Sequence, residues 1–234
     1  MKALRFGTAV AIAVLLGVLG SCASTELANH TFEGESLRLI LRVAPGARVE
    51  ADYWITIDPE DPVTTVISIG SSIAKASQVN EAQAKMDSAL RDFRVDEVFE
   101  DEVGSYFSDV MEMRLVESRT RASYILSIEV EEYGIEATGH NGGLEFVLDG
   151  NAELIDNYDG RRIWHKWFHR DEQISPSVFG LPTSADNVLT AALLSELSEE
   201  EIAAGVERVT RDAAWQVAEE FDADLSWARR HHER

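Results

Sequence analysis

Apolar and polar positions alternate with period two in two early stretches of the chain. Leu37, Leu39, Leu41 and Val43 interleave with Ser36, Arg38 and Arg42, and Val49, Ala51, Tyr53, Ile55 and Ile57 interleave with Glu50, Asp52 and Thr56. Each predicts a half-buried strand, with Pro45-Gly46 supplying turn chemistry between them. At Asp61-Pro62 the period changes, because Asp caps a helix and Pro is tolerated in its first turn. Val66, Ile69, Ile73, Ala76 and Val79 then recur at spacings of three and four, and Ala82, Met86, Ala89, Leu90 and Phe93 carry the stripe onward. Gly70 and Ser71-Ser72 weaken its first half, so the stripe belongs to one helix or two. A further acidic helix is predicted from Asp96 to about Asp109, its apolar side being Val98, Phe99, Val103, Tyr106 and Phe107.

The middle of the chain predicts a meander. Tyr124, Leu126, Ile128 and Val130 alternate with Ser127, Glu129 and Glu131, giving a strand with one wet face. Gly139 to Gly143 turns the chain. Leu144, Phe146, Leu148, Ala152 and Leu154 alternate with Glu145, Asp149, Asn151 and Glu153, Asn157 to Gly160 turns it again, and Ile163 to Phe168 returns. Pro176 and Pro182 punctuate a loop, Ala185 to Leu197 is alanine-rich, and Ser198 with Glu201 forms a capping box opening a last helix toward Trp227. The stripe of that helix includes Ile202, Val206, Val209, Ala213, Val217 and Phe221.

The start of the chain has a different character. Lys2 and Arg5 precede an unbroken apolar run from Ala9 to Leu19, and Gly20 and Ser21 supply the small residues of a cleavage site. The run falls short of the roughly 20 residues that span a bilayer, so residues 1–21 are expected to be a removable export signal. Leu19-Gly20-Ser21-Cys22 resembles the bacterial lipobox, which implies a lipid on the Cys22 thiol. Cys22 is the sole cysteine, so a disulfide within the chain is impossible. Residues 22–35 are polar and without period, and are expected to be a tether reaching at most about 45 Å. Residues 36–234 suit one domain. Ala23 stands where inner-membrane retention signals carry Asp; by resemblance to Gram-negative sorting rules, this implies the outer membrane, facing the periplasm.

Charge narrows the partners. The whole chain has 42 acidic and 21 basic side chains; loss of Lys2 and Arg5 with the signal leaves 19 basic, a net −23. Nucleic acid is excluded, since its binding needs Lys and Arg on phosphates, and a bare anionic lipid surface is disfavoured. Only 4 of the 21 basic residues are lysines, which resembles proteins of salt-adapted bacteria; a solvated acidic surface that keeps an exported protein soluble is the plainer account.

Catalytic and metal patterns are sparse. Ser72-Ile73-Ala74-Lys75 has the Ser-x-x-Lys spacing of serine acyl-enzymes, but nothing reads Lys-Thr-Gly, and Ser184-Ala185-Asp186-Asn187 is one residue too long for Ser-Asp-Asn. His165 and His169, four residues apart on a strand, are separated by about 13 Å, whereas zinc takes nitrogens at about 2.1 Å. His231-His232 is a solvated end. No cofactor is implied.

The hairpin Leu154-Ile155-Asp156-Asn157-Tyr158-Asp159-Gly160-Arg161-Arg162-Ile163-Trp164, preceded by a strand opening at Ala122-Ser123-Tyr124, resembles that of ABC-transport auxiliary lipoproteins. It is also similar to hairpins of curli-assembly and penicillin-binding-protein-activator lipoproteins. The resemblance implies an α/β or α+β domain that binds other envelope proteins and catalyses nothing. The reading as a whole is an α+β domain, an antiparallel meander with helices on one face, lipid-anchored through Cys22 and acting as a non-catalytic accessory in envelope assembly or transport. A lipid-anchored hydrolase using Ser72 and Lys75, or a binder of a small apolar ligand between sheet and helices, are the alternatives.

The partner site depends on the hairpin register. An even loop sets Leu154 opposite Ile163 and Gly150 opposite Trp167, leaving Trp164 and Phe168 on the polar face; an odd loop sets Leu154 opposite Trp164 and exchanges the faces. An indole above Gly150 fills the space of a missing side chain, which favours the even register and makes Trp164 and Phe168 the expected partner contact. Coverage of that face by the helix Ser198 to Trp227 is the competing expectation.

Overall fold

Six strands make one mixed sheet in the computed structural model, which describes residues 26–51, 80–81, 83–137, 144–174 and 197–232. The strands are β1 (Ser36–Val43), β2 (Arg48–Ala51), β3 (Arg114–Leu115), β4 (Tyr124–Ala137), β5 (Leu144–Asp156) and β6 (Arg162–Gln173). The helices are α1 (Val95–Ser105) and α2 (Glu199–His232), with residues 83–89 also helical. The fold is α+β, as the two periods predict.

The sheet order is β3-β1-β4-β5-β6, with β2 also on β4. The meander β4-β5-β6 is antiparallel, while β1, β2 and β3 join in parallel pairs. Residues 44–47 therefore do not reverse the chain: β1 pairs with Tyr124 to Val130 and β2 with Gly134 to Ala137, both in the same direction along β4. The turn chemistry at Pro45-Gly46 makes a jog, with Gly46 at φ 93°. Opposite the jog, β4 breaks its register with β5 between Val130 and Glu132, a β-bulge. Gly134 has φ 152°, and a Cβ there would come within 1.8 Å of the Arg48 carbonyl oxygen; the bare backbone lets β2 close against β4.

Helices α1 and α2 cover one face of the sheet. α1 buries Val95, Phe99 and Val103, and the π-helical turn Tyr106–Val110 that continues it buries Phe107. α2 buries the predicted stripe from Ile202 to Phe221 and continues through Leu225 and Ala228. The capping box is made: the Glu201 N–H donates to Ser198 Oγ at 3.2 Å, and the Ser198 N–H donates to Glu201 Oε2 at 2.9 Å. A Cβ on Gly205 would lie 2.0 Å from the Phe146 ring, so glycine brings α2 down onto β5. The interlayer rings interlock, Phe221 meeting Trp164 at 5.4 Å and Phe107 at 5.0 Å.

Part of the stretch expected to be a tether is described. Residues 26–35 fold onto the domain, with Leu27 and Phe32 fully buried and the Gly34 N–H donating to the Glu112 carbonyl at 2.9 Å. Two apolar side chains without a repeating period find single vacancies at the edge of the core, a placement periodicity does not signal. The helix start at Asp61-Pro62, its stripe through Val79, the strand beyond Ala51 and the alanine-rich stretch before Leu197 lie outside the described residues. Among those residues, no helix is long and apolar enough to cross a membrane.

Candidate functional site

The β5-β6 register decides which side chains are available, and it is odd. Leu154 pairs with Trp164, Gly150 with Phe168, and Asn151 with Trp167. A shift between Leu154 and Ile155 places Arg162 opposite Ile155 and leaves Ile163 as the extra residue. Trp164 and Phe168 are each only 3% exposed, beneath the helical layer: Trp164 Nε1 donates to Asp224 Oδ2 of α2 at 3.0 Å, and Phe168 meets Phe99 of α1 at 5.8 Å. The expected contact at Trp164 and Phe168 is thus corrected to core. The competing expectation, that the helix after Ser198 covers their face, describes the structure.

The opposite face carries the accessible chemistry. Trp167 stands on it 63% exposed, with the His165 ring edge-on at 5.6 Å. Cross-strand neighbours are polar: His165 pairs with Glu153, Trp167 with Asn151 and His169 with Asp149. His169 Nδ1 donates to Asp149 Oδ1 at 2.7 Å, and Asn151 Nδ2 donates to Glu131 Oε1 at 2.8 Å. Glu131 is the unpaired residue of the β4 bulge, so the bulge adds its carboxylate to this surface beside Glu132.

A shallow groove of about 360 Å³ runs between these groups, lined among others by Glu131, Glu132, Asp149, Trp167 and His169. A second hollow of about 190 Å³ shares Glu132 and Asp149 and is edged by Arg48 and Glu136. Such a surface, an indole set among carboxylates, can accept hydrogen bonds from donors and give an apolar plane to a partner. His165 and His169 lie on either side of Trp167 along the strand, each opposite a different acid. Among the described residues, no group of three or more His, Cys, Asp or Glu is placed to hold a metal ion. Cys22, Ser72 and Lys75 lie outside the described residues.

Trp167 was legible only as the residue exposed if the odd register held. The exchange of faces by a one-residue slip is what moved the site from Trp164 and Phe168 to Trp167.

A scan against protein-family models and a search of curated proteins give no match. Several solved structures are similar. One is a protein from Xanthomonas campestris, 15% identical with TM-score 0.37, covering 82% of this chain and 89% of its own. Another is a minor lipoprotein from Acinetobacter baumannii, 12% identical with TM-score 0.33, covering 82% and 94%. A third is PelC, a dodecamer from Paraburkholderia phytofirmans, 19% identical with TM-score 0.29, covering 71% and 88%.

Proposed function

We propose that the chain is a lipid-anchored bacterial envelope protein that works without catalysis, by binding another envelope protein through the outer face of its sheet around Trp167. The observation that carries this is the exposed indole at the centre of β6, on the face away from both helices. Tryptophan is enriched among the residues that dominate protein interfaces, and on a wet sheet face it contributes nothing to the core. The anchoring half rests on the leader and the Leu19-to-Cys22 motif, and placement at the outer membrane on Ala23. A role in transport or assembly rests on the hairpin resemblance alone. The apolar-ligand alternative meets an interlayer space occupied by Phe99, Phe146, Trp164, Phe168 and Phe221.

Two measurements test the halves separately. Cys22→Ala should move the protein from the membrane to the soluble fraction; retention after a high-salt wash removes the anchoring claim. A photo-crosslinking residue at position 167 should form an adduct with an envelope protein in intact cells, while one at the exposed Glu219 of α2 does not. Equal adducts from both positions, or none from 167, would sink the binding face.

A further inference from the structure

The position of Glu26 on the domain bounds how it meets the membrane, given the lipid on Cys22 proposed above. Glu26 opens the short helical turn at Leu27–Asn29, and Leu27 is fully buried, so a point fixed on the folded body lies four residues after the cysteine. Four residues span at most about 14 Å. Only surface close to Glu26 can then rest against the bilayer that holds the lipid.

That surface is the hairpin end of the sheet. Arg161 of the β5-β6 turn ion-pairs with Glu26. The turn itself is tied to the end of the 3-10 helix Arg119–Arg121: Asn157 Nδ2 donates to the Arg119 and Ala122 carbonyls, both at 2.8 Å. At the tip, Tyr158 is 98% exposed although the backbone around it is well held, its N–H donating to Asp156 Oδ1 at 2.8 Å. A tyrosine so placed suits the bilayer interface, where its ring contacts lipid and its hydroxyl stays wet.

Charge at this end departs from the rest of the chain. Arg119, Arg121, Arg161 and Arg162 are all exposed. Of the acids, Asp159 and Glu26 are taken by Arg161, Glu153 lies 3.6 Å from Arg162, Asp156 is engaged by the Tyr158 N–H and by His30 at 3.8 Å, and Glu35 accepts from Ser123 Oγ at 2.6 Å. Arg119 and Arg121 make no ion pair among the described residues. A chain of net −23 once the signal is removed thus turns an arginine-bearing end toward its own anchor. Guanidinium groups there can meet headgroup phosphates, while Glu131, Glu132 and Asp149 of the outer face stay farther along the strands.

We propose that the β5-β6 hairpin tip, with Tyr158, Arg119 and Arg121, is the face that docks on the bilayer. The sheet then projects from the membrane with Trp167 held above it, about 23 Å along β6 from the turn at a strand rise of about 3.3 Å per residue.

The experiment uses the full lipidated chain on vesicles of phosphatidylcholine and phosphatidylglycerol. With the lipid on the Cys22 sulfur, Tyr158→Cys or Asp171→Cys supplies the one free thiol for an environment-sensitive fluorophore. The fluorophore at 158 should shift to the blue, be quenched by headgroup spin-labelled lipid and resist aqueous iodide several-fold better than the one at 171. Co-flotation with vesicles but equal iodide quenching at both positions overturns the docking face and leaves anchoring intact; failure to float overturns the anchoring reading and the inference resting on it. The double variant Arg119→Glu, Arg121→Glu should melt like the parent yet lose the protection at 158. Undiminished protection would remove the arginines from the docking face.

Discussion

The Phe168 ring fills the space above Gly150. A Cβ on that glycine would lie 2.5 Å from Phe168 Cζ and 2.4 Å from the Glu129 carbonyl oxygen, so the cross-strand ring and the β4 backbone together require the missing side chain. Gly150→Ala should destabilise the fold by about 1–3 kcal/mol through overpacking. Thermal melting checks it; an unchanged midpoint would mean that the ring moves aside without penalty.

The burial of Trp164 and Phe168 has a direct consequence. Truncating either to Ala should cost about 3–5 kcal/mol, the range for large aromatic side chains in a core, and Trp164→Ala also strips Asp224 of its indole donor. Trp167→Ser, on the exposed face, should shift the melting midpoint little. Denaturant titration of the three variants separates core from surface, and a Trp167 variant as unstable as the others would place the indole in a structural role.

At the start of α2, the Ser198 backbone N–H and then its hydroxyl hold the Glu201 carboxyl below its ordinary value of 4.5. A depressed carboxylate contributes stability that is present above the unfolded-state pKa and lost as pH falls through the folded one. Acidification below the ordinary value should therefore fray this helix end, with amide exchange of the first turn rising relative to the centre of α2. Glu201→Gln should raise exchange there at neutral pH and flatten its acid dependence. If the variant matches the parent at every pH, the box contributes nothing measurable.

The acidic excess predicts a salt response. Repulsion among unscreened carboxylates opposes the compact state, so melting midpoints should rise from about 0.01 M salt, where the Debye length is roughly 30 Å, to 1 M, where it is about 3 Å. A flat or falling midpoint would show that the surface charges are already balanced locally, as they are at Arg208 and Glu172 or Arg211 and Glu102.

Local pattern alone determined the alternation of β4 and β5, the stripe of α2, an acidic helix from Asp96 and the Ser198-Glu201 box, because each depends on neighbours within one or two turns or a single strand. Strand direction was beyond that pattern: the alternation of β1 is the same whether β4 runs parallel or antiparallel to it. The β5-β6 register was also undetermined, since Ile163, Trp164, Trp167 and Phe168 put large apolar groups on both parities of one strand. An aromatic ring does cover Gly150, but it is Phe168 and not Trp167, because the one-residue offset comes from a turn and a bulge whose geometry no period records. Leu27 and Phe32 join the core without any repeat to announce them. Only the docking of α1 and α2 on one face chose which aromatics are buried and left Trp167 in water, since burial is settled by the whole surface that closes over a strand.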